Sequence, residues 1–365
     1  MSPTVVGKKG TLMNKYCFAI FFALCLIMVS FFATCASYAG DARGYANMPE
    51  HFNGLQYTYF NVWNHDIAVD SGGVLQLDAV KIGPFDITLP PIDFELIGKA
   101  KLDAGVHLLK YVHYFKGFWG QTAGINLAVP YMKTKIAIDG EAKVKFGRFS
   151  KSLGIDKKGS SEGIGDIAII VGQGFFGGPS LPTEEFIDWQ LDTAMGMTLQ
   201  VTAPTGKYDR DKYLNEGANR WSFKPELALL HKQGKWWFDF YANGVFYTDN
   251  EDYHGNSTLS QDPLWGTEAH AGYDILRNLW ASLDLAYNWG ANKEVDGTSL
   301  DDSQQKLTYG ATVKLILGQW DVALRYAQVR DVKQDMKLYD MAYVRFEYGF
   351  GPGVKKMIKT LKERK

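Results

Sequence analysis

Apolar and polar residues alternate along most of the chain with a period of two. The clearest run is Leu338–Phe350, where Ala342, Val344, Phe346, Tyr348 and Phe350 share one face. Tyr343, Arg345, Glu347 and Gly349 share the other. A period of two is the side-chain repeat of a β-strand. Four further windows repeat it. Leu191, Met195, Met197, Leu199, Val201 and Ala203 oppose Gln190, Asp192, Thr198, Gln200 and Thr202. Trp236, Phe238, Phe240 and Phe246 oppose Asp239, Tyr241 and Asn243. Leu279, Ala281, Leu283, Leu285, Tyr287 and Trp289 oppose Ser282, Asp284 and Asn288, and Leu307, Tyr309, Ala311, Val313, Leu315 and Leu317 oppose Lys306, Thr308 and Lys314. Strands of a soluble sandwich average about five or six residues. These runs reach about ten or more, the length at which a tilted strand crosses a bilayer.

The pattern predicts strands over 54–63, 101–114, 121–131, 164–175, 190–203, 220–230, 236–247, 264–274, 279–289, 305–317, 320–329 and 338–350. Connections after even-numbered strands are short, 176–189 being the longest of them. Those after odd-numbered strands are longer and mostly polar: 64–100, 132–163, 204–219, 248–263, 290–304 and 330–337. An even strand count with short turns at one end and long loops at the other is the asymmetry of an outer-membrane barrel. The expected fold is therefore all-β: an antiparallel transmembrane β-barrel of about twelve strands with short periplasmic turns and long extracellular loops. Pro225 removes a ladder donor inside one strand, and a local bulge or kink is expected there. Loop 64–100 carries apolar pieces, so it forms an extra hairpin above the membrane or folds inward to narrow the lumen; the hairpin is preferred.

The termini stand apart from this pattern. Lys8, Lys9 and Lys15 precede an apolar run from Cys17 to Cys35, and Ser37-Tyr-Ala39 supplies small residues for cleavage, so 1–39 reads as a secretory signal peptide. The barrel is expected over 40–350. After Gly351-Pro-Gly353, residues 351–365 form a basic tail on the periplasmic side. In it Val354, Met357, Ile358 and Leu361 make a narrow apolar stripe. So short a helix is marginal alone, and a frayed tail is preferred over a surface-lying or mouth-capping helix.

Composition sharpens the picture in three places. All three cysteines, Cys17, Cys25 and Cys35, lie in the signal, so a chain sent to a disulfide-permitting compartment does not depend on a disulfide. With 39 basic and 40 acidic residues, nothing suggests a nucleic-acid partner. Aromatic residues make up 14% of the chain, a supply that suits two membrane interfaces.

Candidate chemistry is sparse. The seven histidines form no His-x-x-Glu-His pattern, there is no nucleophile elbow, and Asp209-Arg-Asp211 and Asp301-Asp302 are too thin for a calcium loop. Gly163-Ile-Gly-Asp-Ile-Ala168 lacks the following helix of a phosphate-binding loop. His270, Ser282 and Asp284 project from neighbouring strands, but parity assigns them to an interior where polar residues are expected anyway. No catalytic residue, metal site or cofactor is expected. The same parity gives eleven candidates to line a pore: Lys224, Glu226, Asp239, Tyr241, Glu268, Asp284, Lys306, Lys314, Arg325, Arg345 and Glu347. It also turns Asp166 and Asp192 inward. Such charges must pair or be hydrated, so they form either a salt-bridge network filling the barrel or a polar path through it.

Two segments are more specific. Val201-Thr-Ala-Pro-Thr-Gly-Lys-Tyr-Asp209 ends one strand, and Asn219-Arg-Trp-Ser-Phe-Lys-Pro-Glu-Leu227 begins the next. With Gly163-Ile-Gly-Asp-Ile and Ala342–Phe350, they resemble the SphA-like outer-membrane transporter family, also described as meta-pathway of phenol degradation proteins. The resemblance covers about 45–350, and the tail beyond Phe350 departs from it. It implies a porin-like barrel of the Gram-negative outer membrane that takes up aromatic or other hydrophobic compounds.

The sequence thus points to an outer-membrane channel or transporter for passive uptake of small hydrophobic or aromatic compounds, and not to an enzyme. A barrel hydrolase and a structural or adhesive barrel acting through its loops are the alternatives. Expected partners are outer-membrane lipid, a small hydrophobic or aromatic substrate, and the barrel assembly machinery, which reads the aromatic end of the last strand.

Overall fold

The computed structural model describes residues 42–64, 67–70, 75–77, 81–82, 87–88, 92–146, 149–212 and 214–363. The signal segment therefore lies outside the described residues. The barrel strands are β1 (Asn53–Trp63), β2 (Ile92–Lys116), β3 (Thr122–Phe146), β4 (Ala168–Phe176), β5 (Thr193–Thr202) and β6 (Ser222–Gln233). They continue as β7 (Trp236–Tyr247), β8 (Leu264–Leu276), β9 (Leu279–Gly290), β10 (Gln304–Leu317), β11 (Trp320–Asp331) and β12 (Met336–Phe350). Each pairs antiparallel with its sequence neighbours. β1 also pairs with β12, from Asn53 opposite Phe350 to Trp63 opposite Asp340, and this closes the ring of twelve strands.

Burial follows the alternation with the polarity of a soluble protein reversed. On β7, Trp236 and Phe240 are exposed, whereas Asp239 between them is only 1% exposed. On β9, Leu283 and Leu285 point out, and Ser282 and Asp284 are buried. Apolar side chains outside and charges inside are stable only when hydrocarbon surrounds the wall. The exposed aromatics gather in two girdles. Trp236, Tyr273 and Trp320 ring the short-turn end; Trp221, Trp265 and Trp289 ring the long-loop end. Amphipathic rings belong at the two interfaces, so the girdles mark the membrane faces.

The turns sort as the sequence predicts. Gly234-Lys235, Arg277-Asn278 and Gly318-Gln319 are two-residue links. Gly234 and Gly318 sit at φ 60° and 80°, the left-handed backbone that tight hairpin turns require.

The long-loop end is more ordered than expected. β2 and β3 are 25 residues each, about twice what a bilayer needs, and they run on together beyond the membrane. Phe149–Ile164 folds back along β3, from Phe146 opposite Phe149 to Tyr131 opposite Ile164. Ile67–Asp70 and Leu75–Leu77 pair with the near half of β2, which favours the hairpin reading of loop 64–100. Loops 248–263 and 290–304 build a separate sheet from Asn250–Tyr253, Ser257–Gln261, Lys293–Val295 and Thr298–Ser299.

Several expectations need correction. The strand expected over 164–175 begins at Ala168, because Asp166 turns away from the ladder to accept the Gly206 and Ala218 N–H groups. Pro225 causes no bulge: it keeps register with Leu199, and pairing to β7 skips Lys224 and Pro225 but resumes unshifted. Leu191 lies before β5 and is buried beside Ala194 and Leu230 instead of facing outward. Asp192, in the same approach to β5, is exposed. The tail is not frayed. Val354–Glu363 is a helix whose Val354 is 1% exposed, held through a Thr183 hydroxyl bond to the Pro352 carbonyl at 2.8 Å. Tertiary contact supplies what ten residues lack alone.

The outward face can be tested directly. Leu283→Arg sets a charge in hydrocarbon at a residue 70% exposed, and should cost about 2–4 kcal/mol of barrel stability. Gln200→Arg, facing the cavity, should cost far less. Urea titration of the lipid-folded barrel measures both, and equal costs would overturn the assignment of faces.

Candidate functional site: the barrel lumen

The lumen has two unlike walls. Inward positions of β6 to β12 are mostly polar, and strand register converts them into a network. His270 lies opposite Asp239 on one neighbour and opposite Asp284 on the other. Asp284 accepts hydrogen bonds from Ser282 Oγ at 2.8 Å and Thr312 Oγ1 at 2.7 Å, contacts His270 Nδ1 at 2.8 Å, and has Arg325 Nε at 3.4 Å. His270 Nε2 faces Glu268 at 3.6 Å. Glu226 takes Lys224 at 2.8 Å and the Asn243 amide at 3.0 Å. Near the closing seam, Lys314 bridges Glu347 and Asp321, and Gln56 donates to Glu347 at 2.5 Å. Arg345 donates to Thr58 at 3.1 Å. Charges buried this deeply persist only when partners and hydrogen bonds replace water.

The wall formed by β1 to β5 is richer in apolar and small residues, with Gln56, Lys110, Asn126, Thr198 and Gln200 as polar positions among them. Phe60, Val62, Leu102, Ala104, Val106 and Leu108 come from β1 and β2, and Ala123, Gly124, Ala128, Ala168, Gly172 and Ala194 from β3 to β5. These residues fill little of the lumen and leave a cavity of about 560 Å³ beside the ionic wall.

The short-turn end has a floor made of three segments. Residues 42–52 enter the barrel before β1. The Arg43 guanidinium sits between the Trp237 and Trp280 rings, 4.2 and 4.4 Å from their centroids, and pairs with Asp274 at 2.7 Å. Its backbone N–H donates to Asp239. Tyr45 donates its hydroxyl to Glu226 at 2.5 Å, with its ring 5.1 Å from that of Tyr241. The connection 177–192 crosses beneath: Asn47 donates to the Pro179 carbonyl at 2.8 Å, and Ser180 to Glu50 at 2.9 Å. The terminal helix is the third segment, with Ile358 and Lys362 against the Gly318 turn.

At the long-loop end, Asp166 and Arg220 face the same cavity. Burial pushes the Asp166 carboxyl above its usual range, against the pull of the Ala218 and Gly206 N–H groups. Burial likewise pulls the Arg220 guanidinium below its usual value.

The eleven residues singled out from the sequence divide between the two environments. Lys224, Glu226, Tyr241, Lys306 and Arg345 face the cavity. Asp239, Glu268, Asp284, Lys314, Arg325 and Glu347 lie in the ionic packing behind or beside it. Sequence reasoning missed the apolar wall, whose small inward residues scarcely contrast with the apolar outer face. It also missed residues 42–52, which carry no periodic signal. His270, Ser282 and Asp284 do meet, but Ser282 and His270 converge on one Asp284 oxygen. A nucleophile needs its hydroxyl against the base, and this arrangement does not supply that.

Comparison with known proteins agrees with the architecture. No curated protein matches the sequence. The COG4313 outer membrane channel from Pseudomonas putida F1 is similar in structure, with a TM-score of 0.58 and 20% identity over 85% of this chain and 99% of that one. A FadL homologue from Pseudomonas aeruginosa aligns at 11% identity over 86% of this chain and 94% of that one, with a TM-score of 0.35. The family model described as "Putative MetA-pathway of phenol degradation" matches residues 83–343. That match spans more than two thirds of the chain, which belongs to this family of outer-membrane β-barrels.

Proposed function

We propose that this protein is a passive channel that admits small hydrophobic or aromatic compounds through the outer membrane. The division of the lumen carries the reading. A fully ionic interior would only brace the wall, whereas an apolar wall flanking 560 Å³ of open space offers a path to an uncharged ring or chain. That volume lies within the roughly 300–1,000 Å³ typical of small-molecule sites. The floor makes passage conditional, because residues 42–52 stand between the cavity and the short-turn end. In this reading residues 1–39 are a cleaved signal, both termini lie in the periplasm, and Phe350 ends the strand that the assembly machinery reads. A hydrolase is disfavoured by the Ser282–Asp284–His270 geometry described above.

Orientation is tested by labelling intact cells. A tag within Asp249–Ser260 should be reached from outside, and one at Gln233-Gly234 should be protected; the opposite pattern would invert the barrel. The floor is tested by conductance. Arg43→Ala removes the cation held between Trp237 and Trp280, so it should raise single-channel conductance in a planar bilayer severalfold while heat-modifiable mobility stays normal. Unchanged conductance would mean that residues 42–52 do not obstruct the path.

A further inference from the structure

The long-loop end of the cavity contains hydrogen-bond donors that lack acceptors. Arg220 stands just before β6 and is 6% exposed. Its guanidinium lies 4.4 Å above the Tyr247 ring, and Nη2 donates to the neutral side chain of Gln261. Nη1 has no acceptor, and neither does the Tyr247 hydroxyl. Both residues line the cavity. No ion pair joins Arg220 to a carboxylate among the described residues; Asp166 and Asp249 act on it only through space. A buried cation without a bonded anion carries a large desolvation cost, which an entering anion would relieve. Asp166, whose two oxygens accept the Gly206 and Ala218 N–H groups, makes no ion pair with Arg220.

The charge around the cavity leans the same way. Its lining includes six basic residues (Lys110, Lys212, Arg220, Lys224, Lys306 and Arg345) against three acidic ones (Asp166, Glu216 and Glu226), with Lys212, Lys224 and Arg345 paired to Asp209, Glu226 and Glu347. Glu226 is paired with Lys224, and Asp166 is held by backbone N–H groups. Glu216, buried with neither oxygen bonded, is the acidic residue of the lining that most opposes a negative ligand.

We infer that Arg220 and Tyr247 form a head-group subsite for a carboxylate, so that the ligand is an amphiphilic acid whose ring or chain lies on the apolar wall. This rests on the channel reading and narrows it. A guanidinium presents parallel N–H groups that match the two oxygens of a carboxylate, and the Tyr247 hydroxyl adds a third donor. The wall of Val106, Ala128, Ala168 and Ile170 then receives the body of the ligand.

The test compares 3-phenylpropionate with its uncharged isostere 3-phenylpropionamide, by calorimetric titration of the purified full-length protein in detergent. The acid should bind about tenfold or more tightly than the amide. Arg220→Gln should abolish that preference while amide binding persists, Arg220→Lys should restore part of it, and Glu216→Gln should strengthen acid binding. Equal binding of acid and amide by the unaltered protein would overturn the carboxylate subsite and leave the channel standing. An undiminished preference in a folded Arg220→Gln variant would also overturn it. Binding of neither compound, together with a silent planar bilayer, would overturn both readings.

Discussion

The structure depends on one requirement: in hydrocarbon, every backbone N–H and C=O must find a partner within the protein. An open sheet would leave two unpaired edges. The β1–β12 pairing removes both, and eleven residue pairs from Asn53–Phe350 to Trp63–Asp340 complete it. Closure then fixes the side chains. With a repeat of two, each strand must present one face to lipid and the other to the lumen, so Leu283 outside entails Asp284 inside. The buried charge is a consequence of that geometry before it is anything functional.

Closure also explains why the charges are networked. A carboxylate such as Asp284 is too deep to be left to bulk water, and strand register brings His270, Ser282, Thr312 and Arg325 around it. The same logic recruits the N-terminal segment. Arg43 and Tyr45 bond Asp239, Asp274 and Glu226, carboxylates contributed by the wall. The floor is therefore an extension of the ionic wall, not a separate plug.

Features with a period were legible in the sequence, and features fixed by contact were not. Twelve strands, their faces and the short turns followed from alternation and from residues such as Gly234 and Gly318. The extension of β2 and β3 beyond the membrane also alternates, with Lys133 and Lys135 against Met132, Thr134 and Ile136, but its polar content reads as loop once bilayer length is imposed. The helix at Val354–Glu363 was visible as a stripe, yet its stability comes from packing against the connection 177–192, which no local pattern reveals. Within the lumen, charged residues announced themselves. Ala104, Ala128, Ala168 and Gly172 did not, because a small inward residue beside an apolar outward one leaves almost no alternation to detect.

That difference in visibility reflects a division of labour between strands. Rigidity needs large, bonded side chains, and these sit on β6 to β12. Open space needs apolar or small side chains with few hydrogen-bonding demands, and most of these sit on β1 to β5, where Gln56, Lys110 and Gln200 are polar exceptions. Placing both on the same strands would force each cavity-lining position to serve two opposed requirements, since a charge that braces the wall also fills it. Segregation lets the apolar wall change its side chains without breaking the salt bridges that hold the barrel. Arg220 and Tyr247 lie where the two walls meet at the long-loop end, so a ligand entering there meets charge at its head and hydrocarbon along its body.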